Sequence, residues 1–381
     1  MASALPYWRL SSFYFFFFAA LGALVPYWGP YLRQLGFSSA EIGQLLAILH
    51  ATKIIAPNLW GWLADHLGRR MLIVRLAALA ALLLFAGALV EGGFWWMALV
   101  MAGFSFFWNA ALPQFEANTF NHLGQRPQVY SLVRLWGSVG FIVTVIGFGR
   151  AVDHFGLDLL PWGILLLFAG LWISALIAPE GRNGQGNGDH PPFLAVLRQP
   201  HVLGFLLACM LLQASHGPFY AFFSIYLEDH GYSGSTIGIL WAVGVVAEVL
   251  LFLVMHRLLP RYGPRLLLTI ALVLAVVRWL LLGAFVDSLA LVALSQTLHA
   301  ATFGVYHAVG IHTINRYFVG GNQGRGQALY SSLTFGAGVA LGSLVAGWLW
   351  DDWGGHTYYL GALVAAVAAV LAWVSLQREA H

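Results

Sequence analysis

The sequence predicts an all-α integral membrane protein of twelve transmembrane helices arranged as two six-helix bundles. Three observations carry that expectation. Hydrophobic residues make up 60% of the chain and charged residues only 9%, with a mean hydropathy of +0.77, whereas soluble domains carry about a quarter charged residues. The 381 residues divide into about twelve units of roughly 30 residues, each a ~20-residue apolar span with its loop. The third observation is an internal repeat that halves the chain.

Apolar stretches bounded by Gly, Pro and charged clusters fall at residues 10–31, 41–61, 71–90, 95–120, 130–151, 159–178, 201–226, 236–256, 265–285, 289–315, 328–350 and 357–376. Each is expected to be a helix, because backbone polar groups in hydrocarbon need internal partners and the alternation of an outer-membrane barrel is absent. The first stretch is too long for a signal-peptide core and lacks a small-x-small cleavage site, so it reads as a span. The single cysteine, Cys209, lies in an apolar run and can form no intramolecular disulfide. Most of the aromatic residues, including the run Phe13 to Phe18 and the pair Trp95-Trp96, are expected to face lipid or the interface.

Orientation follows from the basic residues. With both termini cytoplasmic, Arg9, Arg69, Arg70, Arg75, Arg126, Arg182, Arg198, Arg257, Arg261, Arg265, Arg316, Arg325 and Arg378 fall inside and only Arg33 and Arg150 outside. That bias is the positive-inside pattern of an inner (plasma) membrane protein. The net charge of +3 therefore reflects topology and is no nucleic-acid signal. The remaining cations, Lys53, Arg134 and Arg278, lie within spans.

The halves repeat one another. Tyr31, Leu32, Gly36, Ser38, Ile42 and Gly43 recur 195 residues later as Tyr226, Leu227, Gly231, Ser233, Ile237 and Gly238, and Gly68 and Arg70 recur as Gly263 and Arg265. Gly149, Asp153 and Gly156 match Gly347, Asp351 and Gly354 at offset 198. Between the halves lies a Gly/Asn-rich run, residues 181–188, with linker composition. The expected domains are residues 1–180, a cytoplasmic linker 181–199, and residues 200–381. A parallel repeat of this kind places a substrate site near the midplane between bundles.

The turn after the second span reads Gly61-Trp62-Leu63-Ala64-Asp65-His66-Leu67-Gly68-Arg69-Arg70. Gly61 permits close packing, Asp65 can cap or pair with a cation, and Gly68 turns the chain. This spacing resembles the loop signature of the major facilitator superfamily, in which the loop is a conformational latch rather than a substrate site. The resemblance implies twelve helices and alternating access.

Charge inside the membrane is sharper evidence. Of the fifteen carboxylates only Glu116 and Glu248 sit within spans, and an intramembrane ionisable group is costly enough to suggest function. Glu116 closes the fourth span and Arg134 opens the fifth at similar depth, so the two are expected to pair and to offer spare hydrogen-bond sites to a ligand. Asn109 lies seven residues before Glu116, and Pro113 frees its carbonyl. Glu116-Ala117 followed by Arg134-Leu135-Trp136-Gly137-Ser138-Val139-Gly140 resembles the proton-coupled oligosaccharide symporters, where a glutamate and an arginine at this spacing bind substrate. The second half is similar to the phenylpropionate permeases in Gly244 to Val249, Val277-Arg278-Trp279, Leu298-His299, Thr302-Phe303 and His307. The oligosaccharide symporters have a glutamate three residues after their matching histidine, where this chain has Thr302, so their proton site does not carry over.

Glu248 is instead expected to carry the proton, with Trp241 and Gly244 on its face. Arg278 and His299 or His307 would alternate as its partner, and the bland reading is a structural Glu248–Arg278 ion pair. His299 and His307 are expected to lie about 80° apart around their helix. Isolated His50, His216 and His312 are read as interhelical hydrogen bonders. Trp136 and Trp241 are wall candidates. Lys53, the only lysine, either receives an anionic substrate or neutralises a buried carboxylate.

No P-loop, metal-ligand spacing or nucleophile triad is present, so neither an ATP-driven pump nor an enzyme is supported and no cofactor or metal is expected. The expectation is a secondary active transporter, favouring proton symport of a small organic solute such as a phenylpropionate-like aromatic acid. Nucleoside or oligosaccharide symport and proton-driven export are the alternatives within the class; a non-transporting membrane receptor is the alternative outside it. The expected partners are a small-molecule substrate, protons and membrane lipid, with no nucleic acid, and the chain is expected to act as a monomer.

Overall fold

A computed structural model describes residues 5–124, 126–181 and 193–376. Most of the expected linker, residues 182–192, and the cations Arg182 and Arg378 lie outside those residues. Among the described residues all regular structure is helical. The membrane helices are α1 Tyr7–Gln34, α2 Ser39–Leu67, α3 Arg70–Leu89, α4 Phe94–Leu123, α5 Tyr130–Phe155 and α6 Leu157–Ile177 in the first half. The second half has α7 Pro200–Asp229, α8 and α9 within Gly234–Ala284, α10 Leu289–Tyr317, and α11 and α12 within Gln323–Ser375. Ten long apolar helical stretches thus resolve into twelve spans. One join is Gly263, whose φ of 70° leaves the helical region and suits a residue without Cβ. The other is the turn Gly354–His356, after which α12 runs Thr357–Ser375.

Each boundary has a local cause. Ser38 starts α2 with a reciprocal capping box: its hydroxyl accepts from the Glu41 amide while the Glu41 carboxylate takes the Ser38 N–H at 2.9 Å. Gly68 ends α2 in the left-handed conformation.

The chain forms two compact units, each with its own core. The first holds α1, most of α2, α3 to α6 and Ser233–Ile239; the second holds Ile42–Ala47 and the remainder of α7 to α12. In the first unit the aromatic run of α1 is divided rather than lipid-facing throughout. Phe13, Tyr14 and Phe17 are buried; Phe13 stacks on Phe115 at 3.7 Å between centroids and Phe17 on Trp108 at 5.0 Å. Only the i, i+3/i+4 set of such a run can reach the helices packed beside it. Trp95, by contrast, is 83% exposed, as an interfacial residue should be.

Two π-helical segments interrupt the second unit, Ala300–Val305 in α10 and Ser332–Gly338 in α11. Wider turns of this kind concentrate at functional sites. The first follows His299 and contains Phe303, which stacks on His299 at 5.2 Å and on His307 at 6.1 Å, with ring planes 17° and 8° apart, so the two histidines are joined through one ring.

Candidate functional site

In the first unit, the Gly61–Arg70 turn is held by its own charges. Arg70 donates from Nη2 to Asp65 and from Nη1 to Gln114 of α4 at 2.8 Å. A Cβ on Gly61 would lie 3.3 Å from the Gln114 amide nitrogen, so the glycine admits that side chain. The turn thus ties α2, α3 and α4 together, while Arg69 is exposed.

Deeper in the unit, Glu116 and Arg134 do not form the expected direct pair. Tyr130, one turn before Arg134 on α5, donates its hydroxyl to Glu116 Oε1 at 2.9 Å. Arg134 instead lies over the Phe18 ring at 3.7 Å, with Tyr14 at 5.8 Å. A Cβ on Gly137 would stand 2.6 Å from Arg134 Nη1, so that glycine makes room for the guanidinium. Tyr14 donates to Thr119 at 3.1 Å, and Thr119 donates to the Phe115 carbonyl at 2.9 Å. The result is a half-buried cation on an aromatic face beside a carboxylate already hydrogen-bonded.

Asn109 does not point its amide at Glu116. It donates to the Leu49 carbonyl at 3.1 Å and to Thr52 at 2.8 Å, clasping α4 to α2. Lys53, the next residue along α2, is half-buried and makes no ion pair with Glu116, whose contacts are with Tyr130 and, through space, Arg134. Trp136 departs from its expected role: it donates Nε1 to Tyr7 at 3.0 Å and packs edge-on against Trp8. Two residues apart on a helix means opposite faces, so Trp136 cannot wall Arg134.

In the second unit, Arg278 of α9 is fully buried (0% exposed). Its Nη1 donates to Thr302 Oγ1 at 3.0 Å and to His299 Nδ1 at 3.1 Å, with His216 Nε2 at 3.5 Å. Nη2 reaches Gln296 Oε1 at 3.4 Å. The guanidinium also lies 4.3 Å from the Phe219 ring centroid and 4.6 Å from that of Trp279. No carboxylate is in ion-pair contact with it among the described residues, so the structural Glu248–Arg278 pair of the bland reading is not formed.

His299 stands between them. Because a guanidinium can only donate, His299 Nδ1 must accept, which puts the ring proton on Nε2. That nitrogen faces Glu248 Oε2 at 3.8 Å, within electrostatic reach but beyond a hydrogen bond. His216 takes the opposite tautomer: its Nδ1 is 2.8 Å from the Leu212 carbonyl, so Nδ1 carries the proton and Nε2 faces Arg278. Glycines close the gap between α8 and α10. A Cβ on Gly244 would lie 3.4 Å from His299 Cβ, and one on Gly304 would lie 3.2 Å from Glu248 Cγ. Trp241 lines the same cluster, its ring 4.6 Å from that of Phe219 at a 43° tilt and its Nε1 donating to Ser224 at 3.1 Å.

The structure therefore gathers Trp241, Glu248, Arg278 and His299, and joins His307 to them through the Phe303 stack. Sequence reading missed His216, Gln296, Thr302, Phe219 and Tyr130 as members of these clusters. Only Thr302 carried a signal, as the residue standing where a carboxylate was looked for. A cleft of about 370 Å³ lined by Met255, His256, Leu259, Pro260 and His312 contains none of these residues.

The profile of the MFS_1 like family matches residues 7–360. The chain belongs to that family. It is 33% identical over 371 residues to the probable 3-phenylpropionic acid transporter of Escherichia coli (strain K12), covering 94% of this chain and 95% of the relative. It is 27% identical over 375 residues to the maltose permease of Geobacillus stearothermophilus, covering 96% and 93%. The fold matches the crystal structure of a point mutant of the nucleoside transporter NupG with a TM-score of 0.86 at 20% identity, over 97% of this chain and all of that one. This MFS_1 like protein is accordingly a multi-pass membrane transporter of small molecules, a secondary transporter rather than an enzyme, with twelve helices in two six-helix bundles.

Proposed function

We propose that the protein is a proton-coupled symporter of a small organic acid, an aromatic carboxylate of the phenylpropionate class, working by alternating access. The observation that carries the coupling is the Glu248–His299–Arg278 series. Arg278 fixes the His299 tautomer, and His299 directs its N–H toward the carboxylate that takes and releases the proton. Neutralising Glu248 removes the attraction at His299 Nε2 and changes what holds α8 against α10.

Arg134 on its Phe18 face, with Glu116, is the receptor we assign to the solute; a guanidinium beside aromatic rings suits a carboxylate joined to an apolar ring. Lys53 is a second cation for the same anion, Asn109 holds α4 to α2 beside it, and Trp241 belongs to the proton-coupling cluster of the second unit. Gly61, Asp65, Gly68, Arg69 and Arg70 act as the conformational latch. We further propose domains at residues 1–180 and 200–381 joined by a linker at 181–199, residence in the inner membrane with both termini cytoplasmic, and action as a monomer in lipid. The 33% identity to a relative named for phenylpropionic acid supports the substrate class. The 27% identity to a maltose permease supports oligosaccharide uptake as the second reading.

Uptake into proteoliposomes under an imposed pH gradient tests both. Phenylpropionate should accumulate with the gradient and its amide should not. Uptake indifferent to the gradient would remove proton coupling, and accumulation of maltose alone would select the second reading.

A further inference from the structure

The turn that joins α8 to α9 repeats the one that joins α2 to α3, but without its counter-charges. In the first unit Arg70 donates to Asp65 and Gln114, and Arg75 donates to the Ala175 and Ala178 carbonyls at 3.1 and 3.0 Å. At the offset of 195 residues, Gly68 and Arg70 recur as Gly263 and Arg265, whereas Pro260 stands at the place of Asp65 and His256 at that of Gly61. No carboxylate occurs between Glu248 and Asp287, while Arg257, Arg261 and Arg265 follow one another at every fourth position.

None of these three guanidiniums makes an ion pair or a hydrogen bond among the described residues. Arg265 lies on Trp373 of α12, 4.0 Å from the ring centroid, with its Nε closed off from solvent. Arg261 lies 5.3 Å from the Tyr262 ring. Arg257 and Arg261 are exposed.

Their surroundings have the chemistry of a membrane boundary. Tyr262 and Trp373 are each 42% exposed, the half-wet setting that amphipathic rings take at the headgroup level. Counting back from Arg257, Val254, Leu253 and Leu250 fall on its side of α8 at three, four and seven residues, and all three are exposed. Leu266, Ile270 and Val273 form a second exposed apolar stripe along α9. The last turns of α8 also border the cleft of about 370 Å³, whose walls are Met255, Leu259 and Pro260 with the imidazoles of His256 and His312. The positions matching Gly61 and Asp65 thus border open space rather than a closed ion pair.

This chemistry selects the partner. Guanidiniums without a carboxylate suit a phosphate, which they can take bidentately. A soluble anion would use the cations and leave the apolar stripes idle; a phospholipid uses both. A lipid with an ammonium in its headgroup would bring a second cation to a turn that has no carboxylate to meet it.

We propose that the α8–α9 turn binds the phosphodiester of an anionic phospholipid of the phosphatidylglycerol class, with the acyl chains along the exposed stripes of α8 and α9, independent of the solute carried. Basic clusters at the edge of a membrane helix recognise anionic headgroups in this way. Arg257 and Arg261 supply the exposed donors, and Arg265, held on Trp373, fixes the inner edge of the site.

Native mass spectrometry of the full-length protein, released from nanodiscs of equal phosphatidylglycerol, phosphatidylethanolamine and phosphatidylcholine, tests this by the lipids retained. Phosphatidylglycerol should be enriched several-fold over both zwitterionic lipids, and equal retention would overturn the site. Arg257→Gln combined with Arg261→Gln should reduce that enrichment several-fold. Arg9→Gln combined with Arg126→Gln removes the same charge from exposed positions elsewhere and should leave it unchanged. Equal effects of the two pairs would overturn the assignment to this turn. Glycerol phosphate added in excess should not displace the lipid; displacement would overturn a lipid in favour of a soluble anion. The wild-type comparison stands by itself if a variant does not fold.

Discussion

Each unit carries a glutamate and an arginine within its spans, Glu116 and Arg134 in the first and Glu248 and Arg278 in the second, and in neither do the two meet. In the first unit a tyrosine takes the carboxylate: Tyr130 bonds Glu116 at 2.9 Å while Arg134 rests on Phe18. In the second a histidine stands between, accepting from Arg278 at 3.1 Å and facing Glu248 at 3.8 Å. A phenol holds its proton at any physiological pH, whereas an imidazole changes charge within that range. The first arrangement is suited to holding a ligand and the second to moving a proton. The arginines differ in the same sense. Arg134 is half-buried and keeps donor capacity, while Arg278 is sealed and its terminal nitrogens are engaged by four neutral acceptors.

The largest effect should come from the carboxylates. Glu248→Gln is expected to abolish gradient-driven accumulation while leaving downhill exchange, and Glu116→Gln to weaken solute binding with the pH response intact. If both variants lose the pH response alike in a proteoliposome assay, the division between the units is broken.

Next come the arginines. Arg278→Leu leaves the acceptors of Gln296, His299 and Thr302 without their donor, a loss of about 3 kcal/mol or more, so thermal unfolding of the purified protein should fall by many degrees. Arg134→Lys should barely move unfolding and should raise KM, since an ammonium on a flexible stem does not reproduce a flat guanidinium on Phe18. Equal thermal losses would contradict the assigned roles.

A smaller effect separates the intermediaries. Tyr130→Phe deletes one hydrogen bond to a charged acceptor, about 1.5 kcal/mol or roughly tenfold in KM. His299→Asn keeps an acceptor near the Nδ1 position but has no titratable proton; it should preserve folding and flatten the pH–rate profile. The smallest change is expected from Lys53→Gln. If Lys53 receives the solute carboxylate, binding of an aromatic acid should weaken and binding of its amide should not; equal losses would leave Lys53 outside the anion site.

The membrane setting, the twelve spans and the two-fold repeat were legible because each is a property of composition or period. So were Glu116, Glu248, Arg134 and Arg278, since a charged residue inside an apolar run stands out wherever it folds. Their partners were not. Glu116 and Arg134 seemed a pair from matched depth alone, yet depth says nothing of rotation, and Tyr130 was already one helical turn from Arg134 on the same face. His216 looked like an ordinary helix histidine because its link to Arg278 spans 62 residues. The π turn at Ala300–Val305 was not legible either, because no α-helical period anticipates it.

The sequence by itself determined the solvent of this protein, its helices, its repeat and which charges are buried, because hydrophobic burial and the cost of an intramembrane charge act residue by residue. Only the tertiary structure decided who neutralises whom. Hydrogen bonds act over about 3 Å, and small shifts in helix rotation, set by packing at Gly137, Gly244 and Gly304, choose a tyrosine for one glutamate and a histidine for the other.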